Sequence, residues 1–162
     1  MKTKKLVFSA LFAALTCVMT MLIKIPSPLK GYLNLGDFAV LLSGRILGSA
    51  FGFAAAGIGS ALADIFSGYA FYAPATFVIK GVMALIVYAL PKITGRKKSL
   101  LFCGISAALA ELFMALAYYV FEGFLYGFYP ALLNIPANLL QGVIGVVLGL
   151  LAINFFEKNH II

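Results

Sequence analysis

Charge is what this sequence has least of. Only 10% of its 162 residues are charged, and five are acidic. A soluble domain carries about a quarter charged residues. This chain lacks the polar surface to cover a core, so lipid must be its solvent. The equipment of catalysis is scarce too. The one histidine is His160, near the C-terminus, which leaves no His-Glu-x-x-His pair and no serine–histidine set. No Gly-x-x-x-x-Gly-Lys-[Ser/Thr] loop occurs, and the turn "TGRKKS" lacks its glycine spacing. ATP hydrolysis by that route is excluded, so uphill movement of a solute would need a partner or an ion gradient. Cys17 and Cys103 stand alone in apolar runs, without metal-ligand spacing, and read as small buried hydrophobes. No metal or cofactor is expected. No cluster of arginines is available for a polyphosphate or polyacid.

What is present is apolar: 64% of the residues are hydrophobic. Runs such as "LVFSALFAALTCVMTMLI" and "LLQGVIGVVLGLLAINFF" do not alternate, which sets aside a transmembrane β-barrel. A membrane-spanning helix takes about 20 residues, so six use about 120 and leave about 40 for connections. The expectation is an all-α integral membrane protein, a single six-helix domain over 1–162. The basic then apolar start resembles a signal peptide. Its apolar stretch is too long and no clean cleavage site follows, so it reads as a retained first helix.

The patterns predict helices over 5–24, 37–48, 50–67, 74–92, 99–122 and 130–157. "KIPSPLKGYLNLG" and the aromatic "EGFLYGFY" read as loops, and "SGYAFYA" as a turn. Pro74 suits the first turn of the fourth helix; Pro136 either opens or kinks the sixth. With the N-terminus inside, the inner ends hold Lys2, Lys4, Lys5, Arg45, Lys92, Arg96, Lys97, Lys98 and Lys158, against Lys24 and Lys30 outside. That bias puts both termini in the cytoplasm. It also accounts for the net charge of +7 without a nucleic-acid partner. Tyr32, Tyr69, Tyr72, Tyr126 and Tyr129 fall on the outer side.

Few polar groups lie inside the spans, and they converge. Asp64 and Lys80 sit in the outer halves of the third and fourth helices, where each charge costs about 2.5–3.5 kcal/mol at mid-span. They either brace each other or wall a polar cavity, and the two roles are compatible. Bracing across the pocket mouth is the expectation. Asn134, Asn138 and Gln141, followed by Gly145 and Gly149, form one stripe on the sixth helix. Three amides in lipid need partners, so the stripe must face protein or a cavity. Glu111, Tyr118 and Glu122 share one side of the fifth helix. Glu111 is either a functional carboxyl or a neutral member of a hydrogen-bond network. An apolar cavity with a few amides, tyrosines and one carboxylate suits a small aromatic ligand. Ala10 and Ala14 offer a small-residue face to a partner helix. Gly44, Gly48 and Gly52 are either a packing seam or a flexible turn.

These residues carry a family resemblance. The basic start with Ala10-x-x-x-Ala14, "GYLNLGD" at 31–37, "GIGSALADIFSGY" at 57–69 and "APATFVIKG" at 73–81 resemble the S components of energy-coupling factor (ECF) vitamin transporters. The resemblance covers nearly the whole chain. It implies six helices, a multi-pass protein of a prokaryotic cell membrane, no catalysis, and capture of a vitamin from the outer side. It also implies partners: an EcfT-like membrane coupling subunit on the Ala10–Ala14 face and two EcfA-like cytoplasmic ATPases. The substrate-binding residues expected are Asn34, Asp64, Lys80, Glu111, Tyr118, Asn134, Asn138 and Gln141. The motifs look most like members assigned to vitamin B6 compounds or hydroxymethylpyrimidine, with Glu111 or Asp64 near the ring nitrogen; riboflavin-type members share them. A stand-alone ion-coupled carrier would favour inverted repeats, and none is seen. A membrane enzyme would use Asp64, Glu111 and Glu122 as acid–base groups, and no nucleophile or metal set accompanies them.

Overall fold

The computed structural model describes residues 2–27, 31–95 and 99–159; Lys30, Arg96, Lys97, Lys98 and His160 lie outside them. The elements are α1 (Lys2–Leu22), β1 (Lys24–Pro26), β2 (Tyr32–Asn34), α2 (Gly36–Leu47), α3 (Ser49–Phe66), α4 (Ala73–Ile93), α5 (Leu100–Tyr126), the short α6 (Phe128–Ala131), a 3₁₀ turn (Leu132–Asn134) and α7 (Ile135–Lys158). Successive long helices are joined by short turns and run back and forth. One end gathers the beginning of α1, the α2–α3 junction and the end of α7, where Phe12, Leu47, Ile153 and Phe156 pack together. The other end carries the hairpin β1–β2, the α3–α4 turn and α6.

Among the described residues, five stretches are long and apolar enough to cross a membrane: Thr3–Leu22, Ser49–Phe66, Ala73–Ile93, Leu100–Tyr126 and Phe128–Phe156. Their outer faces present large apolar side chains such as Leu11, Leu101 and Val143, the surface expected against lipid. The protein is a multi-pass membrane protein. The second predicted helix exists but has only 12 residues, about 18 Å at 1.5 Å per residue, well short of a bilayer core. It is also the most enclosed helix: Ala39, Val40 and Leu41 have no exposed surface.

Two loop expectations need correction, and the open choice at Pro136 is settled. The 24–34 connection is not wholly irregular: Lys24–Pro26 pairs antiparallel with Tyr32–Asn34, with Ile25 opposite Leu33. The aromatic stretch from Glu122 is helical through Tyr126, and the break falls at Gly127, whose φ is +94°. Pro136 opens α7 behind the 3₁₀ turn. Its missing N–H and its ring both oppose a continuous α pattern across that point. Pro74 sits in the first turn of α4 as expected. Cys17 and Cys103 are buried and lie outside any disulfide.

The small residues let backbones touch. A Cβ on Gly44 would stand 2.3 Å from the Ala84 carbonyl oxygen, one on Gly52 2.9 Å from that of Ser43, and one on Gly59 2.4 Å from that of Ala13. Gly48, between α2 and α3, has φ +85° and turns the chain in one residue, a conformation that favours glycine. The seam and the turn are therefore both present, at different glycines. Gly44→Ala should lower stability by about 1–3 kcal/mol or more, because the obstacle is backbone. Gly104→Ala, whose Cβ would meet Leu150 Cδ1 at 3.5 Å, should be tolerated. Thermal unfolding of the two variants in detergent measures the contrast.

Candidate functional site

The site begins with what α2 leaves undone. Because α2 starts part-way down the bundle, the space above it is filled by the hairpin and by a recess. Asp37 lies in the first turn of α2 and is 1% exposed. Its Oδ1 accepts from Lys80 Nζ of α4 in a buried ion pair, and its Oδ2 accepts from Gln141 Nε2 of α7 at 2.6 Å. Gln141 Oε1 in turn accepts from the Asn34 backbone N–H at 2.9 Å and its Nδ2 at 3.2 Å. Asn34 Oδ1 accepts from the Gly36 N–H at 2.8 Å, which fixes the turn from β2 into α2. One chain of hydrogen bonds thus ties α2, α4, α7 and the hairpin. Beneath it Met114, fully buried, touches both Lys80 Nζ and Gln141 Nε2 through its sulfur.

This junction is the floor of a recess at the hairpin end with a cavity volume of about 40 Å³. That is room for a few waters, so a ring-sized guest requires the side chains lining the recess to move apart. Its lining comes from α1 (Thr20), the hairpin (Tyr32, Asn34), α3 (Ser60, Asp64), α4 (Thr76, Lys80), α5 (Tyr118, Glu122) and α7 (Asn138, Gln141), with Tyr69 and Tyr72 from the α3–α4 turn. Tyr69 stands between Tyr32 and Tyr72, with ring centroids 4.9 and 6.5 Å away. Tyr118 Oη donates to Thr76 Oγ1 at 3.0 Å, and its ring lies 5.7 Å from Lys80 Nζ.

The expected Asp64–Lys80 brace is not made. Lys80 pairs with Asp37, and Asp64 Oδ1 accepts from the Tyr32 hydroxyl at 2.6 Å. Side-chain reach across the bundle decides this: Asp37 faces Lys80 across the α2–α4 contact, while Asp64 is near the end of α3, level with the hairpin. Burial first, then the Asp64 carboxylate, push the Tyr32 hydroxyl well above the ordinary phenol range, so it remains a donor. Tyr72 is raised likewise by burial, then by its Tyr126 partner and Glu122.

Of the residues singled out in the sequence, Asn34, Asp64, Lys80, Tyr118, Asn138 and Gln141 share the recess. Asn134 stands behind it, donating through Nδ2 to Glu122 Oε1 at 2.8 Å. Glu111 does not reach it. It lies two helical turns below Tyr118, about 10 Å along α5, behind the Met114 layer. There its carboxyl faces the notch of Gly142 and Gly145: ideal Cβ atoms on these would meet its Cβ at 2.9 Å and Oε1 at 2.8 Å. Asp37 was the residue missed. An acid in the first turn of a helix is commonplace; its signal was the apolar run "FAVLL" that follows it. Ala10 and Ala14 lie exposed on α1, along an apolar groove shared with Ala54, Ile58 and Leu62 of α3.

A model of the family described as "ECF-type riboflavin transporter, S component" matches residues 1–158. The chain belongs to that family. A solved structure described as the structure and mechanism of the S component of a bacterial ECF transporter has the same fold, with a TM-score of 0.79 over 98% of each chain at 23% identity. An uncharacterised protein of Pyrococcus woesei is 48% identical over 71 residues, which span 43% of this chain and 47% of that protein. S components are substrate-binding subunits of transporters and work with EcfT and EcfA subunits. The S-component fold sets six helices around the recess, and the Asp37–Lys80 pair holds its floor. Asp37→Ala or Lys80→Ala should each lower stability by about 3–5 kcal/mol, by leaving a buried charge alone. The double variant should lose less than the sum. Unfolding midpoints of the three variants check this; additive losses would mean the two side chains act independently.

Proposed function

We propose that this S component captures a small heteroaromatic vitamin, a vitamin B6 compound or hydroxymethylpyrimidine, in the recess at its hairpin end. The observation that carries the reading is convergence: side chains from the hairpin and five long helices, with Asp37 of the sixth beneath them, surround one hollow. Tyrosine rings offer faces to a flat ring, and amides and hydroxyls can read its substituents. Asn34, Asp64, Lys80, Tyr118, Asn138 and Gln141 are the proposed contacts, with Asn134 acting through Glu122. Riboflavin is the second reading, favoured by the family's description.

In this reading the hairpin end faces outward. The hairpin and α2 together make one crossing, so the chain crosses six times with both termini in the cytoplasm of a prokaryotic cell. The inward bias of lysine and arginine supports this orientation. The coupling subunit docks along the α1–α3 groove at Ala10 and Ala14, where small side chains permit close helix approach. Two ATPase subunits act through it.

The test is to purify the chain alone, identify any bound small molecule, and titrate pyridoxine, pyridoxal, hydroxymethylpyrimidine and riboflavin. Tight binding of one without turnover is expected. Product formation would indicate an enzyme instead, and ion-driven uptake by the chain alone a self-sufficient carrier. Asn138→Ala and Gln141→Ala should weaken binding by about 1–3 kcal/mol, the cost of an unpaired buried polar group. Bulky replacements at Ala10 and Ala14 should spare ligand binding and disrupt assembly with the coupling subunit, read by co-purification.

A further inference from the structure

The geometry points to Asp64 and Glu122 as a pair of acceptors that select a ligand bearing hydrogen-bond donors, or positive charge, on its ring. An amino-substituted or ring-protonated nitrogen heterocycle fits, and a phosphorylated form does not. This rests on the reading of the recess as the vitamin site and narrows its chemistry.

Four of the five acids are buried: Asp37, Asp64, Glu111 and Glu122. Among the described residues the one buried base is Lys80. Asp37 is accounted for, since Lys80 and Gln141 occupy both its oxygens. Glu111 lies behind the floor. Asp64 and Glu122 remain on the wall of the recess, 5% and 3% exposed. Each is half satisfied in the same way. Asp64 Oδ1 takes the Tyr32 hydroxyl and Glu122 Oε1 takes the Asn134 amide. Asp64 Oδ2 and Glu122 Oε2 are buried and make no hydrogen bond of good geometry, although the Thr76 and Tyr72 hydroxyls stand beside the two carboxyls.

Buried acceptors without donors are costly, and here two line one hollow. A ligand N–H or ring cation removes that cost. The Ser60 hydroxyl, also buried, on the recess wall and without a partner, can meet a further ligand hydroxyl. The Tyr32 and Tyr72 rings beside these acids suit a flat, electron-poor ring. An anion finds the opposite. Lys80 is the one cation among the described lining residues, and its charge is taken by Asp37. A phosphate would enter beside two carboxylates with no counter-charge left for it.

The test uses the full-length chain in detergent, stripped of ligand, with matched probes in equilibrium dialysis. One pair is 4-amino-5-hydroxymethyl-2-methylpyrimidine and its 4-oxo counterpart. The other is pyridoxamine and pyridoxal. Within whichever pair binds, the amino compound should bind about tenfold tighter or more, the scale of one hydrogen bond to a charged group. Its 5′-phosphate or phosphorylated hydroxymethyl form should be rejected. Asp64→Asn and Glu122→Gln keep an oxygen for Tyr32 and Asn134 but turn the free acceptor into a donor. Each should weaken the amino compound about tenfold without lowering the ligand-free unfolding temperature. The probe pairs and the phosphate comparison need no variant, so they decide the matter even where a variant fails to fold. Equal affinity within a pair, tight binding of the phosphate, or binding of riboflavin alone overturns the inference and leaves vitamin capture standing. Binding of none of these compounds overturns both.

Discussion

The buried pair of Asp37 and Lys80, completed by Gln141, is the constraint on which the rest of the structure depends. It joins α2, α4 and α7 at one level, and through Gln141 and Asn34 it holds the hairpin over the same point. A charge in a membrane core is tolerated only when paired and hydrogen-bonded. Asp37 meets that condition with both oxygens. The cost of the pair is offset by what it positions: a polar floor in an otherwise apolar bundle. Since α2 begins at this floor, the place a longer helix would take above it is shared by the hairpin and the recess.

Charge is distributed by the same logic throughout. Acids are nearly confined to the interior and bases nearly confined to the helix ends. The exterior of the spans is left to leucine, valine and phenylalanine, and lipid makes no polar demand on them. Inside, polar side chains find a partner or line the recess, except Glu111, whose two carboxyl oxygens are buried without a hydrogen-bond partner behind the floor. Tyr118 with Thr76 and Asn134 with Glu122 do the first. Asp64 Oδ2 and Glu122 Oε2 do the second. A substrate-binding subunit needs this imbalance, since a fully satisfied cavity would have no polar group left to offer a guest.

Packing between helices relies on glycine and alanine rather than on large interlocking side chains. Gly44 lies on the Ala84 backbone and Gly59 on that of Ala13, so α2 meets α4, and α3 meets α1, at backbone distance. Close approach supplies dispersion contacts where lipid offers no hydrophobic drive between helices. The same economy of side chains continues onto the exposed face of α1, where Ala10 and Ala14 keep a groove open beside α3.

Much of this was legible in residues alone. Length and hydropathy set the helices, because a backbone in lipid must satisfy its own hydrogen bonds. The spacing of Asn134, Asn138 and Gln141 put them on one interior stripe, which the structure divides between the 3₁₀ turn (Asn134) and α7 (Asn138, Gln141), and the tyrosines marked the end where the recess opens. The hairpin escaped notice because three-residue strands carrying Pro26 give no periodic signal. The extra turn of α5 escaped because its aromatic residues resemble a loop rim. What only the tertiary structure decided is partnership. Asp37 and Asp64 are both acids near Lys80 in a reasonable topology, and the choice between them depends on depth along neighbouring helices, to within a few ångströms. Glu111 has the same helical face as Tyr118 yet falls beneath the Met114 layer, outside the recess. Periodicity determines which way a side chain points; how far down the bundle it stands, and hence what it meets, depends on how the helices are offset against one another, and no single segment encodes that.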